Sequence, residues 1–131
     1  MIAQPISEQA IILNDNINQL VISTQHLDEK YHNKIDKMSQ KMNIFLDEYQ
    51  QYTCLSIAEY ASYLNHDALS PLTIVLGYGE LFRSVYANLF TAEELRLINQ
   101  ICIQIRMLTE SVRDECNMLI AQRDECNATR I

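Results

Sequence analysis

Glycine and proline, the residues from which most tight turns are built, are almost absent from this chain. Its 131 residues contain 2 of each, and none of the four lies between Ile6 and Ser70. So few turn-forming residues exclude a fold that reverses direction often. The shortage predicts an all-helical, elongated chain.

Other absences limit the location and the partners of the protein. Hydrophobic residues make up 48% of the chain, yet no apolar run approaches the ~20 residues that span a bilayer. The opening M-I-A-Q-P-I-S lacks the positive and apolar regions of a signal peptide. Lys and Arg number 10 against 17 Asp and Glu, and no helix face carries a basic stripe. We therefore expect a soluble, cytoplasmic protein that binds neither nucleic acid nor membrane.

Metal and cofactor signatures are also missing. The four cysteines have no zinc-site spacing and are expected to be reduced, buried or half-buried thiols: Cys54, Cys102, Cys116 and Cys126. No glycine-rich nucleotide loop occurs, so we predict no cofactor. His26, Glu29 and His32 are a candidate metal set, but without another ligand nearby we interpret them as a solvated helix surface and predict no metal.

Apolar residues keep a heptad spacing through the first half of the chain, with one extra step of four after Tyr31. The seam positions are Ala10, Leu13, Ile17, Leu20, Thr24, Leu27 and Tyr31, then Ile35, Met38, Met42, Phe45, Tyr49 and Tyr52. This pattern is typical of a coiled coil with a stutter. It predicts one helix from about Ser7 to Arg83, which at 1.5 Å per residue would be about 115 Å long and would need a partner chain. A break around His32-Asn33 is the alternative.

A second helix is predicted after a loop from Ser84 to Phe90. Thr91 and Glu94 have the spacing of a capping box, which marks the start of a helix of about 34 residues. Its seam contains Ile98, Ile101, Ile105, Leu108, Val112, Glu115 and Leu119. The pattern fades near Cys126, and Asn127 to Ile131 are expected to fray.

The two apolar stripes are too wide for one antiparallel pair of helices to bury. We therefore predict that two hairpins form a homodimeric, antiparallel four-helix bundle, from which the N-terminal helices leave as a parallel coiled coil. The expected divisions are a coiled-coil helix over residues 1–54, the hairpin over 55–126 and a frayed tail over 127–131.

The stretch around His66 holds most of the helix breakers, because Pro71, Gly77 and Gly79 follow it closely. At 100° per residue, one face is apolar and should be buried: Tyr60, Ala61, Leu64, Ala68, Leu72 and Val75. His66 projects opposite that face and should stand in solvent. Pro71 removes the N–H that would bond the Asp67 carbonyl, so we expect a bend beside the histidine, with Pro71 and Gly77 as the bend residues.

An exposed histidine next to a carboxylate is a candidate nucleophile. Its neutral ring nitrogen attacks an electrophile, and a carboxylate that accepts the other ring N–H fixes the tautomer and stabilises the resulting cation. Asp67 is the candidate carboxylate. Ser70 places a hydroxyl one turn after the histidine.

The run H-D-A-L-S-P-L from His66 to Leu72, followed by I-V-L-G-Y-G-E-L, resembles the dimerisation and phosphoacceptor domain of bacterial sensor histidine kinases. The resemblance covers about residues 55 to 125. It implies that His66 accepts the phosphoryl group, that Asp67 holds the ring, and that Ser70 helps to orient water when a partner's aspartyl phosphate is hydrolysed. Leu69 stands where such domains usually have Arg or Lys.

The resemblance leaves three hypotheses within two-component signal transduction. The chain is a histidine phosphotransfer module that exchanges a phosphoryl group between His66 and a receiver aspartate of a response regulator. Alternatively, it is the phosphoacceptor fragment of a histidine kinase whose ATP-binding domain acts in trans, since the chain is too short to contain that domain. In the third hypothesis it is a non-catalytic dimeric scaffold that binds response regulators.

Overall fold

The computed structural model describes residues 5–128, without the side chains of residue 123 and of residues 125–128. Over this range the prediction of an all-helical chain is confirmed, and no strand occurs among the described residues. One 3-10 turn precedes the last helix. The helices are α1 (Ile6–Ser23), α2 (Glu29–Tyr52), α3 (Ile57–His66), α4 (Leu69–Ser84) and α5 (Ala92–Ala128), and the 3-10 turn is Ala87–Leu89. None of the helices in this range is both long and apolar enough to cross a bilayer.

The helices pack side by side as a bundle within one chain. Both α1 and α4 lie between α2 and α5, and α3 continues α4 along α5. Two side-chain hydrogen bonds fix α1 antiparallel to α5: Gln9 donates to Ser111 at 3.0 Å, and Asn16 donates to Gln104 at 2.8 Å. The path along the bundle is therefore up, down, up and down, with α3 and α4 together forming the third rod.

The prediction of a single helix from Ser7 to Arg83 is wrong, because the helical structure is interrupted at residues 24–28, 53–56 and 67–68. The first turn begins at Thr24, whose hydroxyl donates to the Leu20 carbonyl at 2.6 Å and ends α1. Asp28 has an extended backbone and precedes α2. His32 and Asn33 lie inside α2, so the alternative break was placed too late along the chain. The irregular step from Tyr31 to Ile35 lies within the first turns of α2.

The apolar seam of α1 and α2 is closed by the same chain. Its central side chains are buried in one cluster with those of α4 and α5: Leu13, Ile17, Leu20, Ile35, Met38, Met42 and Phe45. The boundary predicted between residues 54 and 55 falls in the loop that joins α2 to α3. A second chain is thus not needed to cover this seam.

The prediction of a second helix that begins with a capping box is confirmed. The Thr91 N–H donates to the Glu94 carboxylate at 2.9 Å, and the Glu94 N–H donates to the Thr91 hydroxyl at 3.1 Å, as a capping box requires. The α5 seam is buried from Ile98 to Val112. Residues 127 and 128, where fraying was predicted, continue α5, and residues 129–131 lie outside the described range.

The cysteines whose side chains are described occupy different environments. Cys54 is exposed, whereas Cys102 and Cys116 are buried. Burial raises the pKa of the Cys102 and Cys116 thiols, which disfavours the reactive thiolate. The predicted buried thiols are therefore found at two positions of α5, while Cys126 is among the side chains not described.

Candidate functional site

His66 is the last residue of α3, beside the interruption between α3 and α4. The N–H groups of Asp67 and Ala68 both donate to the Tyr63 carbonyl, at 2.9 and 3.0 Å, which closes the end of α3. Pro71 lies in the first turn of α4, where a missing N–H is tolerated. Instead, the Asp67 carbonyl accepts a bond from the Ser70 N–H at 3.3 Å. The regular hydrogen-bond pattern of the helix is therefore interrupted immediately after the histidine.

The helical projection places this segment correctly. Ser56 caps α3 by accepting a bond from the Glu59 N–H at 3.2 Å. The predicted buried face is in the core, with Tyr60 half-buried and the others buried: Ala61, Leu64, Ala68, Leu72 and Val75. His66, Asp67 and Ser70 are all exposed.

A cleft of about 490 Å³ separates α2 from the junction of α3 and α4. Two of the predicted site residues, Asp67 and Ser70, line one wall together with Pro71. The opposite wall belongs to α2 and contains Lys41, Ile44, Glu48, Gln51 and Tyr52. The cleft thus brings together residues that are far apart in the sequence.

A second cleft of about 250 Å³ lies on the other side of the junction, against α5. Asn65 and Leu69 face Arg113 and Asn117 across it. Because Asn65 and Asp67 line different clefts, the His66 side chain leaves α3 between them. Arg113 thus offers a basic group on the side where Leu69 has none.

Both clefts contain a cation that is available to an incoming anion. Within residues 5–128, neither Lys41 nor Arg113 forms an ion pair at 4.0 Å or less. Arginine binds phosphate through two parallel N–H donors, and lysine through a compact ammonium. Each cleft beside the junction of α3 and α4 therefore contains a basic side chain.

The predicted contact between His66 and Asp67 is not made in this conformation. Over the described part of the chain, no hydrogen bond joins the two side chains. Adjacent helical residues point in different directions, so such a bond needs a rotation of the exposed Asp67 carboxylate.

Tyr63 is the buried residue of the site that the sequence analysis missed. Its ring stacks on Tyr52 with the centroids 4.4 Å apart and an angle of 4° between planes. Burial, followed by the negative charges of Glu48 and Asp67, raises the pKa of Tyr63. The equal spacing of Tyr49 and Tyr52 on α2 and of Tyr60 and Tyr63 on α3 was the available signal, but it has meaning only once the two helices are known to be antiparallel neighbours.

One further relationship was missed, at the opposite end of the bundle. His26, interpreted as a surface residue without a role, lies 3.0 Å from the buried carboxylate of Glu94. Burial works to raise the pKa of Glu94, but hydrogen bonds from the Thr91 N–H and from His26 lower it overall. This pair ties the α1–α2 loop to the start of α5.

The two glycines of α4 differ in their surroundings. A Cβ on Gly77, one of the predicted bend residues, would meet no atom within 4 Å. Gly77 lies inside α4, while the interruption occurs at residues 67–68, next to Pro71. Gly79 is buried against α5.

Comparison with protein families, with curated proteins and with solved structures finds no significant match to this chain.

Proposed function

We propose that the chain is a histidine phosphotransfer module of two-component signalling, which accepts a phosphoryl group on His66 and exchanges it with a receiver aspartate of a response regulator. One observation carries the proposal. His66 is exposed at an interruption of a helix, and the adjacent cleft is lined by Asp67 and Ser70.

The transfer is a displacement at phosphorus. A neutral ring nitrogen of His66 attacks with its lone pair, the bond from phosphorus to the aspartate oxygen breaks, and the carboxylate leaves. The ring gains positive charge, and Asp67 stabilises it by accepting the remaining ring N–H. The reverse reaction returns the phosphoryl group to an aspartate, and the Ser70 hydroxyl orients water when the aspartyl phosphate is hydrolysed instead.

The packing of the bundle supports such a site. α3 rests on α5, while α4 is held between α2 and α5. A nucleophile on a rigid element is presented in a defined geometry, which favours an in-line reaction. Arg113 and Lys41 would meet the negative charge of the phosphoryl group from the two clefts.

The homodimer predicted from the heptad seam belongs to this proposal in a restricted form. The seam is buried within one chain, so a dimer would use apolar side chains that remain outside. Ile12 and Met107 line a groove between α1 and α5, and Ile103 is exposed one turn before Met107. Light scattering of the full chain, compared with a variant carrying Ile103→Ser and Met107→Ser, tests whether this face holds two copies together.

The test of the function uses a panel of purified receiver domains. Each receiver first takes a labelled phosphoryl group onto its aspartate from a phosphorylated donor. We expect at least one receiver to transfer label to the full chain or to lose it faster in its presence. His66→Gln should remove both effects, whereas His26→Gln, which also removes a histidine, should retain them.

Two results would contradict the proposal. In one, no receiver responds and phosphoramidate, a small-molecule phosphoryl donor, leaves His66 unmodified. In the other, receivers bind tightly but His66→Gln changes neither transfer nor dephosphorylation, which would leave the non-catalytic scaffold.

A further inference from the structure

The Tyr63 hydroxyl is buried without a hydrogen-bond partner among the described residues. Tyr63 is 1% exposed, so this group is withdrawn from solvent. Tyr60, one turn earlier, is different: its hydroxyl donates to the Glu115 carboxylate at 2.7 Å. Buried polar groups are nearly always paired, and an unpaired one in a native protein calls for an explanation.

The candidates for pairing are two carboxylates that line opposite walls of the first cleft. Asp67 follows Tyr63 by four residues, a spacing at which helical side chains meet, and its N–H donates to the Tyr63 carbonyl at 2.9 Å. Glu48 lies across the cleft on α2. The negative charges of both act on the Tyr63 hydroxyl.

The side chains of Tyr63 and Asp67 differ in mobility. The stack with Tyr52 fixes the plane of the Tyr63 ring, so the hydroxyl points in one direction. Asp67 is exposed and can change rotamer. Movement of Asp67 is therefore the simplest way to form a bond between them.

We propose that Tyr63 is a positioning residue, whose hydroxyl donates to Asp67 when this carboxylate turns to accept the ring N–H of His66. A carboxylate has two oxygens, so it can accept from both donors at once. The fixed tyrosine holds Asp67 in the rotamer that orients the histidine ring. The inference rests on the proposed function, because it assigns Asp67 the role described there.

The first experiment compares Tyr63→Phe with Tyr60→Phe in the full chain. Phosphoramidate is the donor: a neutral His66 nitrogen attacks phosphorus, the phosphorus–nitrogen bond breaks and ammonia leaves. We expect Tyr63→Phe to lower the rate of His66 phosphorylation about 10-fold, as is common for groups that orient a reacting side chain. Its melting temperature should be unchanged or higher, because an unpaired buried group is removed.

Tyr60→Phe is the matched control, since it also removes one hydroxyl from α3. It should lower the melting temperature, because Glu115 loses its donor, and leave the phosphorylation rate unchanged. A fall in both rate and melting temperature for Tyr63→Phe would overturn the proposal, because Tyr63 would then act through the fold.

The second experiment asks which carboxylate Tyr63 holds. Combined with Asp67→Ala, Tyr63→Phe should cause no further loss of rate, since its effect passes through Asp67. Glu48→Gln alone should have little effect. If the losses from Tyr63→Phe and Asp67→Ala multiply, or if Glu48→Gln reproduces the loss from Tyr63→Phe, the proposal fails.

A third measurement does not depend on phosphoryl transfer. ¹⁵N NMR spectra report the balance between the two tautomers of the His66 ring. Tyr63→Phe should shift this balance when Asp67 is present, but not when it is introduced into the Asp67→Ala variant. If no receiver responds and phosphoramidate leaves the native chain unmodified, the proposed function fails on that result. The NMR comparison then decides the positioning role alone, and identical His66 spectra with and without the Tyr63 hydroxyl would overturn it.

Discussion

Gly79 and Cys102 face each other across the contact between α4 and α5, and a Cβ on Gly79 would lie 3.0 Å from the Cys102 sulfur. Cys102 is buried, so its side chain has little room to move. The absence of a side chain at position 79 thus determines how closely the two helices pack. Gly77, two residues earlier, has no such constraint.

The two glycines should respond oppositely to alanine. Gly77→Ala should raise the free energy of unfolding by about 0.5–1 kcal/mol, because alanine favours a helix over glycine. Gly79→Ala should lower it by about 1–2 kcal/mol, because overpacking outweighs the same helical gain. Urea unfolding of both variants measures this, and equal effects would show that the contact with Cys102 is easily relieved.

The pair of His26 and Glu94 should make stability depend on pH. The folded protein holds the pKa of Glu94 below its usual 4.5, so the carboxylate contributes stability above that pH. This contribution should be lost as the pH falls through the folded pKa. Near pH 7 we expect the native chain to have a higher melting temperature than the Glu94→Gln variant. Below pH 4.5 the two melting temperatures, measured by circular dichroism, should converge. A constant difference down to pH 3 would contradict this.

Pro71→Ala should separate stability from transfer. It restores an N–H that can bond the Asp67 carbonyl and join α3 to α4, so the helical content should rise slightly and the unfolding free energy should change by less than about 1 kcal/mol. Transfer to His66 should weaken because the interruption beside it is lost. Loss of several kcal/mol would show that the fold itself needs the interruption.

Arg113→Gln should slow phosphorylation of His66 by roughly 10-fold, because a charge-assisted phosphate contact is removed. Arg96→Gln is the matched control, since Arg96 is an exposed arginine near the start of the same helix. Initial rates with phosphoramidate measure both. Equal rates for the two variants would remove Arg113 from the site.

Periodicity predicted which side chains are buried, but not what they are buried against. Leu13 and Met38 belong to the core, as their seam positions indicated. A seam has the same spacing whether it is covered by a second chain or by a later helix of the same chain. The short turn at residues 24–28, where α1 ends and α2 begins, separates these two alternatives. It contains neither glycine nor proline, and the usual signal for a turn was missing.

The site was predicted only as far as one helix determines it. The exposure of His66 follows from helical projection, and the structure agrees. Tyr52 and Arg113 come from other helices, and their positions depend on the order in which the helices pack. No local spacing contains that information.

The closure of the core within one chain has a consequence for concentration. An obligate dimer loses its folded state on dilution, because its stability depends on mass action between two chains. Here the seam side chains of α1 and α2 are covered by α4 and α5 of the same molecule. Burial of this seam therefore does not depend on the concentration of the chain, and a single copy brings Asp67 and Ser70 to the cleft beside His66.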